Sequence, residues 1–136
     1  MELLGFRVAR SFKFAKQHYD EGQKLFEQNK LPEAIDEYEA CLRLDSQRIN
    51  ALFNMALCEV MLHRNDSALK HLLTLLRKQP DRPDIPYLIG QVMHAEGRHE
   101  EEILWYDRAI KLEPDCRQAK EALKLARHEI YAEVWK

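Results

Sequence analysis

The densest chemistry in this chain is the run His99-Glu100-Glu101-Glu102, one imidazole beside three carboxylates. That combination suits acid-base catalysis or the holding of a metal ion. The same run opens an apolar pattern of helical period, and carboxylates in the first turn of a helix are favoured by its dipole, so a structural role is expected. The chain has no phosphate-binding loop, no His-Glu-x-x-His and no nucleophile elbow. Neither an enzyme, nor a metal ion, nor any other cofactor is expected. Cys41, Cys58 and Cys116 form no Cys-x-x-Cys pair and are odd in number, which points to reduced thiols and a cytoplasmic location.

The elements that must position these residues emerge from a rhythm. The segment "WYDRAIKLEPD", Trp105 to Asp115, has an echo 34 residues earlier in "LLRKQPD" and a second in "CLRLDS". Rows of 34 align Gly22 with Ala56 and Gly90, Ala34 with Ala68 and Glu102, and Tyr38 with Leu72 and Tyr106. Small residues therefore recur where two helices would touch. Each row holds two patterns of helical period parted by breakers: Asn29 to Pro32, His63 to Asp66 and Glu96 to His99. A helix, a tight turn and a second helix follow. Pro32 suits a first helical turn, Asn65 offers a capping oxygen, and Asp84 before Pro86 opens a helix after the proline-rich "QPDRPDIP".

Composition agrees with one all-α globular domain. The 136 residues are 46% hydrophobic and 32% charged, with four glycines and a net charge of −2. No basic excess marks a nucleic-acid partner, and none is expected. Even the apolar run "ALCEVML" is broken by Glu59, far short of the roughly 20 residues that span a bilayer.

A 34-residue helix-turn-helix unit with small and aromatic residues in these columns resembles the tetratricopeptide repeat. The third unit matches best, through Ile89-Gly90, Tyr106, Ala109, Leu112 and Pro114, while the first has Ser46 in place of proline. The resemblance implies an all-α, right-handed α-solenoid of three units, at residues 15–48, 49–82 and 83–116, with 117–136 as a carboxy-terminal capping helix. Ala119, Leu123, Ala126, Ile130 and Val134 form that helix's inner stripe. Glu102 departs from the small residue usual at its place, and must pair with Arg98 or His99, since an unpaired buried carboxylate costs several kcal/mol. Glu59 and Glu21 also depart, from aromatic and leucine places respectively.

Stacked repeats of this family line a concave groove with their first helices, so the resemblance implies a non-catalytic adaptor that binds a protein or peptide. The inward places here hold Tyr19, Gln23, Phe26, Phe53, Asn54, Leu57, Val60, Met61, Tyr87, Leu88, Gln91 and His94. Aromatic and methionine side chains provide adaptable contact area, the amides can fix a peptide backbone, and His94 could tune binding near neutral pH. Some members grip acidic chaperone tails of the EEVD type through lysine, asparagine, asparagine, lysine and arginine. The matching places hold Tyr19, Gln23, Asn54, Asp84 and Leu88. One asparagine survives, so an apolar or amphipathic guest is expected instead. Alternatively, several groove residues pack on neighbouring helices or on the amino-terminal segment.

Residues 1–14 form a basic amphipathic segment or an extension of the first helix. Leu4, Val8, Phe12 and Ala15 share a face, with Arg7, Arg10, Lys13 and Lys16 elsewhere. The first reading is an extra helix that packs on the repeats or fills the groove. A membrane-surface or mitochondrial-targeting role for residues 1–16 is the second. Permanent incorporation into a larger complex or homo-oligomer is the structural alternative to an adaptor.

Overall fold

The computed structural model describes residues 2–135, with the side chains of residues 2–4 and 6 left aside, so the expectation for Leu4 lies outside the described residues. Among the described residues seven helices make up the fold: α1 (Glu2–Glu27), α2 (Leu31–Leu44), α3 (Ile49–Met61), α4 (Asn65–Lys78), α5 (Asp84–Ala95), α6 (His99–Leu112) and α7 (Arg117–Val134). Among the described residues no strand occurs, and no helix is long and apolar enough to cross a membrane. The helices sort into two compact units, Met1–Leu62 and His63–Lys136.

The breakers named from sequence become turns of one kind. Asn29, His63 and Gly97 each take a left-handed backbone, with φ of 59°, 57° and 71°. In the first, Lys30 N–H donates to Leu25 C=O at 2.9 Å and Asn29 N–H to Phe26 C=O at 2.9 Å. In the third, Arg98 N–H donates to Met93 C=O at 2.9 Å and Gly97 N–H to His94 C=O at 3.0 Å. This paired closure satisfies carbonyls that the end of a helix would leave bare, and the left-handed residue reverses the chain. Pro32 then occupies the first turn of α2, where its missing N–H costs nothing. Asn65 does not cap α4. The helix starts at Asn65 itself after Arg64, whose side chain makes no capping bond.

In the first unit α2 packs against both α1 and α3. Its core gathers Ala15 from α1, Ala34, Ile35, Tyr38 and Cys41 from α2, and Ala51, Met55, Ala56 and Cys58 from α3, all nearly inaccessible. The Tyr38 ring lies on the bare backbone of Gly22: a Cβ there would sit 2.7 Å from Cε1 of the ring. Only glycine admits the ring at that distance.

In the second unit α5 packs against α4 and α6, and α6 against α7. Leu72 and Leu75 of α4, Ile85, Ile89 and Val92 of α5, Tyr106 and Ala109 of α6, and Ala119 and Ala126 of α7 are buried. Gly90 receives the Tyr106 ring as Gly22 receives Tyr38, two repeats apart. The stripe on α7 is buried at Ala119, Leu123 and Ala126, but it does not run its expected length. Val134 is 74% exposed, because the helix outruns the partner it packs on.

Two substitutions and one labelling experiment test this account. Gly22→Ala would gain about 1 kcal/mol of helix propensity, yet we expect a net loss of about 1–3 kcal/mol, because the buried Tyr38 ring cannot yield. Gly97→Ala meets no neighbour and should lose about 1 kcal/mol from the left-handed backbone alone. Denaturant titration reads both, and a stabilised Gly22→Ala would refute the ring contact. Burial raises the Cys41 thiol and pushes Cys58 up to about 11, and both side chains are inaccessible. Cys116 is partly exposed. An aromatic disulfide reagent at pH 8 should therefore label Cys116 rapidly and the other two thiols only on unfolding; rapid labelling of all three would contradict the packing.

Candidate binding surfaces

The first-helix faces carry the residues singled out for binding, and each unit is built on the same local motif. In the first unit Tyr19, Gln23 and Phe26 stand on α1, and Phe53, Asn54, Leu57 and Met61 on α3. Met61 is 48% exposed, and the other six are partly buried. Tyr38 O–H, rising from α2, donates to Gln23 Oε1, and Asn54 Nδ2 donates to the same oxygen at 2.8 Å. Asn54 Nδ2 also lies 3.5 Å from Tyr19 Oη. The Tyr19 ring stands between Tyr38, with centroids 6.1 Å apart, and the Arg48 guanidinium, 5.7 Å from its centre. Asp45 holds Arg48 from below through a 3.3 Å contact to Nε. These amides brace three helices, so the polar part of this face is organised before any guest arrives.

The second unit repeats the arrangement. Gln91 Nε2 donates to Tyr106 O–H at 2.8 Å, and the Tyr87 and Tyr106 rings lie 5.8 Å apart. Burial raises the hydroxyl pKa of Tyr38, Tyr87 and Tyr106, so all three stay protonated at neutral pH. Leu88, assigned to the groove from sequence, is 8% exposed and belongs to the core of this unit. It lies on the same buried stripe of α5 as Ile85, Ile89 and Val92, spaced as one helical face.

His94 occupies its expected helix and lies beside two carboxylates. Its Nδ1 lies 3.1 Å from Glu102 Oε2 and 3.7 Å from Glu129 Oε2, and its ring is 5.9 Å from that of His99. Glu102 is 2% exposed and is paired, as required, with His99 at 2.9 Å. Arg98, the other expected partner, forks instead onto Glu101 at 2.9 and 2.6 Å. The hydrogen bond that His99 makes to the Glu102 carboxylate raises its pKa against the opposing effect of burial, and the Glu129 carboxylate adds to the rise. Sequence reading paired His99 with Glu102 but missed Glu129. A histidine and a glutamate three apart on one helix are visible as a pair, whereas a residue from α7 arrives only through packing. Glu59 is also buried, at 4% exposure, on α3.

The places that would clamp an acidic tail are fully accounted for. Tyr19, Gln23 and Asn54 bond among themselves, and Leu88 is buried. Asp84 faces Arg82, with Oδ2 3.0 Å and Oδ1 2.9 Å from Nε.

Residues 53–118 match the family model of the tetratricopeptide repeat. No curated protein matches the chain in sequence. Among solved structures, the TPR domain of Arabidopsis OM64 superposes with a TM-score of 0.80 at 17% identity, covering 87% of this chain and 98% of that one. The first TPR domain of Spaghetti (RPAP3), bound to the HSP90 peptide SRMEEVD, gives 0.80 at 22% identity over 88% and 95%. The carboxy-terminal TPR-containing domain of a Plasmodium falciparum FK506-binding protein gives 0.81 at 19% identity over 95% and 96%. At these identities the likeness is one of fold.

Removing a single oxygen tests the repeated motif. Tyr38→Phe and Tyr106→Phe keep the ring on its glycine and delete the bond to Gln23 or Gln91, so each should cost about 1 kcal/mol in denaturant unfolding. A loss near zero in both would show that the amides brace nothing.

Proposed function

We propose that this chain, which belongs to the tetratricopeptide repeat family, is a protein-interaction adaptor whose guest is an apolar or amphipathic segment of a partner and not an acidic EEVD-type tail. The observation that carries the reading is the occupancy of the five clamp places. Tyr19, Gln23, Asn54, Asp84 and Leu88 supply no cation, and Asp84 supplies a carboxylate. A tail with several carboxylates needs charge-assisted donors to offset its lost hydration. The Spaghetti domain binds such a peptide; the side chains here favour a different guest.

What the faces offer is area that suits apolar side chains. Phe26, Phe53, Leu57 and Met61 in the first unit surround amides already fixed in place, and Tyr87 with Gln91 gives the second unit the same mixture. Aromatic and methionine side chains are enriched at interfaces because they give large contact with few torsions or with adaptable ones. Residues in named roles are therefore Met61, Leu57 and Phe53 as apolar anchors and Gln23, Asn54 and Gln91 as orienting amides. No catalytic role is assigned to any residue.

Fluorescence anisotropy with two labelled peptides tests the choice, one ending in MEEVD and one amphipathic helix with apolar residues at helical spacing. The amphipathic peptide should bind, and Met61→Glu should weaken it at least tenfold, about 1.4 kcal/mol. Met61 is exposed, so circular dichroism should show the variant folded as the parent is. Tight binding of the MEEVD peptide, or indifference of the amphipathic one to Met61→Glu, would overturn the reading.

A further inference from the structure

Three helices of the second unit bring four potential ligand atoms to one point. His94 comes from α5, His99 and Glu102 from α6, and Glu129 from α7. One nitrogen or oxygen from each lies within 4.8 Å of those of the other three. The separations are His99 Nδ1 to Glu102 Oε1 2.9 Å, His94 Nδ1 to Glu102 Oε2 3.1 Å, His99 Nδ1 to Glu129 Oε2 3.2 Å and His94 Nδ1 to Glu129 Oε2 3.7 Å. Ligands at about 2.0–2.1 Å from a tetrahedral zinc ion stand roughly 3.3 Å from one another; the two separations to Glu129 Oε2 lie close to that edge, and Glu102 turns a different oxygen to each histidine.

We propose that His94, His99, Glu102 and Glu129 form a binding site for a divalent transition-metal ion of the zinc type, which ties α7 to the α5–α6 pair. Two imidazoles and two carboxylates are a donor set suited to such an ion.

Hydrogen bonding by itself leaves the cluster incomplete. Each Nδ1 carries at most one proton, whereas three carboxylate oxygens face the two nitrogens: both oxygens of Glu102 and Oε2 of Glu129. Among the described residues Glu129 Oε2 is shut off from solvent and takes no hydrogen bond. A single cation at the centre would engage all four side chains at once, where protons serve them in pairs. The 2% exposure of Glu102 shields such an ion on the core side, while His94 and Glu129, with side chains 49% and 43% exposed, leave it a way in. An open cleft of about 500 Å³, lined in part by His99, Glu101 and Glu133, adjoins the cluster. Gln91 on α5 and Tyr106 on α6, bonded at 2.8 Å, tie together the two helices that carry His94, His99 and Glu102.

The experiment uses the full chain stripped of metal with a chelator. Calorimetric titration with zinc chloride should show one ion bound per chain, and cobalt(II) chloride should give the intense visible absorption of a tetrahedral site. Zinc should also raise the melting temperature, as any ligand of the folded state does. The double variant His94→Ala, Glu129→Gln alters partly exposed residues on two helices and leaves Glu102 with His99. It should weaken zinc at least about a hundredfold and abolish the cobalt band, while His128→Ala, an exposed histidine of α7 outside the cluster, should change neither. Absence of zinc binding by the parent chain would overturn the proposal. So would zinc binding of equal strength in the double variant, and so would an octahedral, weakly absorbing cobalt complex.

Discussion

A tyrosine ring laid on a glycine backbone is the contact on which both units depend. Gly22 beneath Tyr38 and Gly90 beneath Tyr106 set how closely the two helices of a repeat approach, and every neighbouring contact inherits that spacing. With the ring held against the glycine, its hydroxyl meets the next residue of the first helix, Gln23 or Gln91. The same ring therefore sets the packing distance at one end and orders polar groups of the first helix at the other. Interiors of this density resist even one added carbon, which is why a residue with no side chain can govern so much structure.

Under the proposed function, that coupling prepares the surface for a partner. Amides free to rotate would have to be ordered by the guest, at a cost in conformational entropy for each side chain. Here Gln23 is engaged by Tyr38 and Asn54, and Gln91 by Tyr106, so the order is established by folding. The apolar residues around them keep more freedom, Met61 most of all. A fixed polar frame with adaptable apolar surroundings suits guests that share a backbone shape but vary in side chains.

Much of this was legible in the sequence, and the parts that were not fail for physical reasons. The period of 34, the breakers at Asn29, His63 and Gly97, and the small residues opposite tyrosines all reflect local geometry, so they are written in consecutive residues. Asn65 looked like a cap because its side chain is able to be one, but the left-handed turn at His63 starts the helix at Asn65 itself. Leu88 was placed by the family's inward positions, and a repeat register does not show that neighbouring helices bury most of α5, Leu88 included. For Glu102 the need for a partner was plain and His99 was near at hand. Glu129 was beyond reach, since 27 positions separate it from Glu102 and only the docking of α7 closes that distance.

The length of α1 has a consequence of another kind. Its 26 residues make a rod of about 39 Å, while the 14 of α2 reach about 21 Å. From Ala15 onward the rod is pinned by packing, yet Val8 and Phe12 are each 48% exposed. One continuous helix thus contains two stabilities, a tertiary one near its end and a merely local one near its start. Isolated helical stretches of that length are marginal in water, so the protection of backbone amides must fall along a single unbroken ladder of hydrogen bonds. The first helix is in this sense a gradient, and whatever settles on its basic, apolar-flanked beginning acts on the part of the fold that opens at the least expense of free energy.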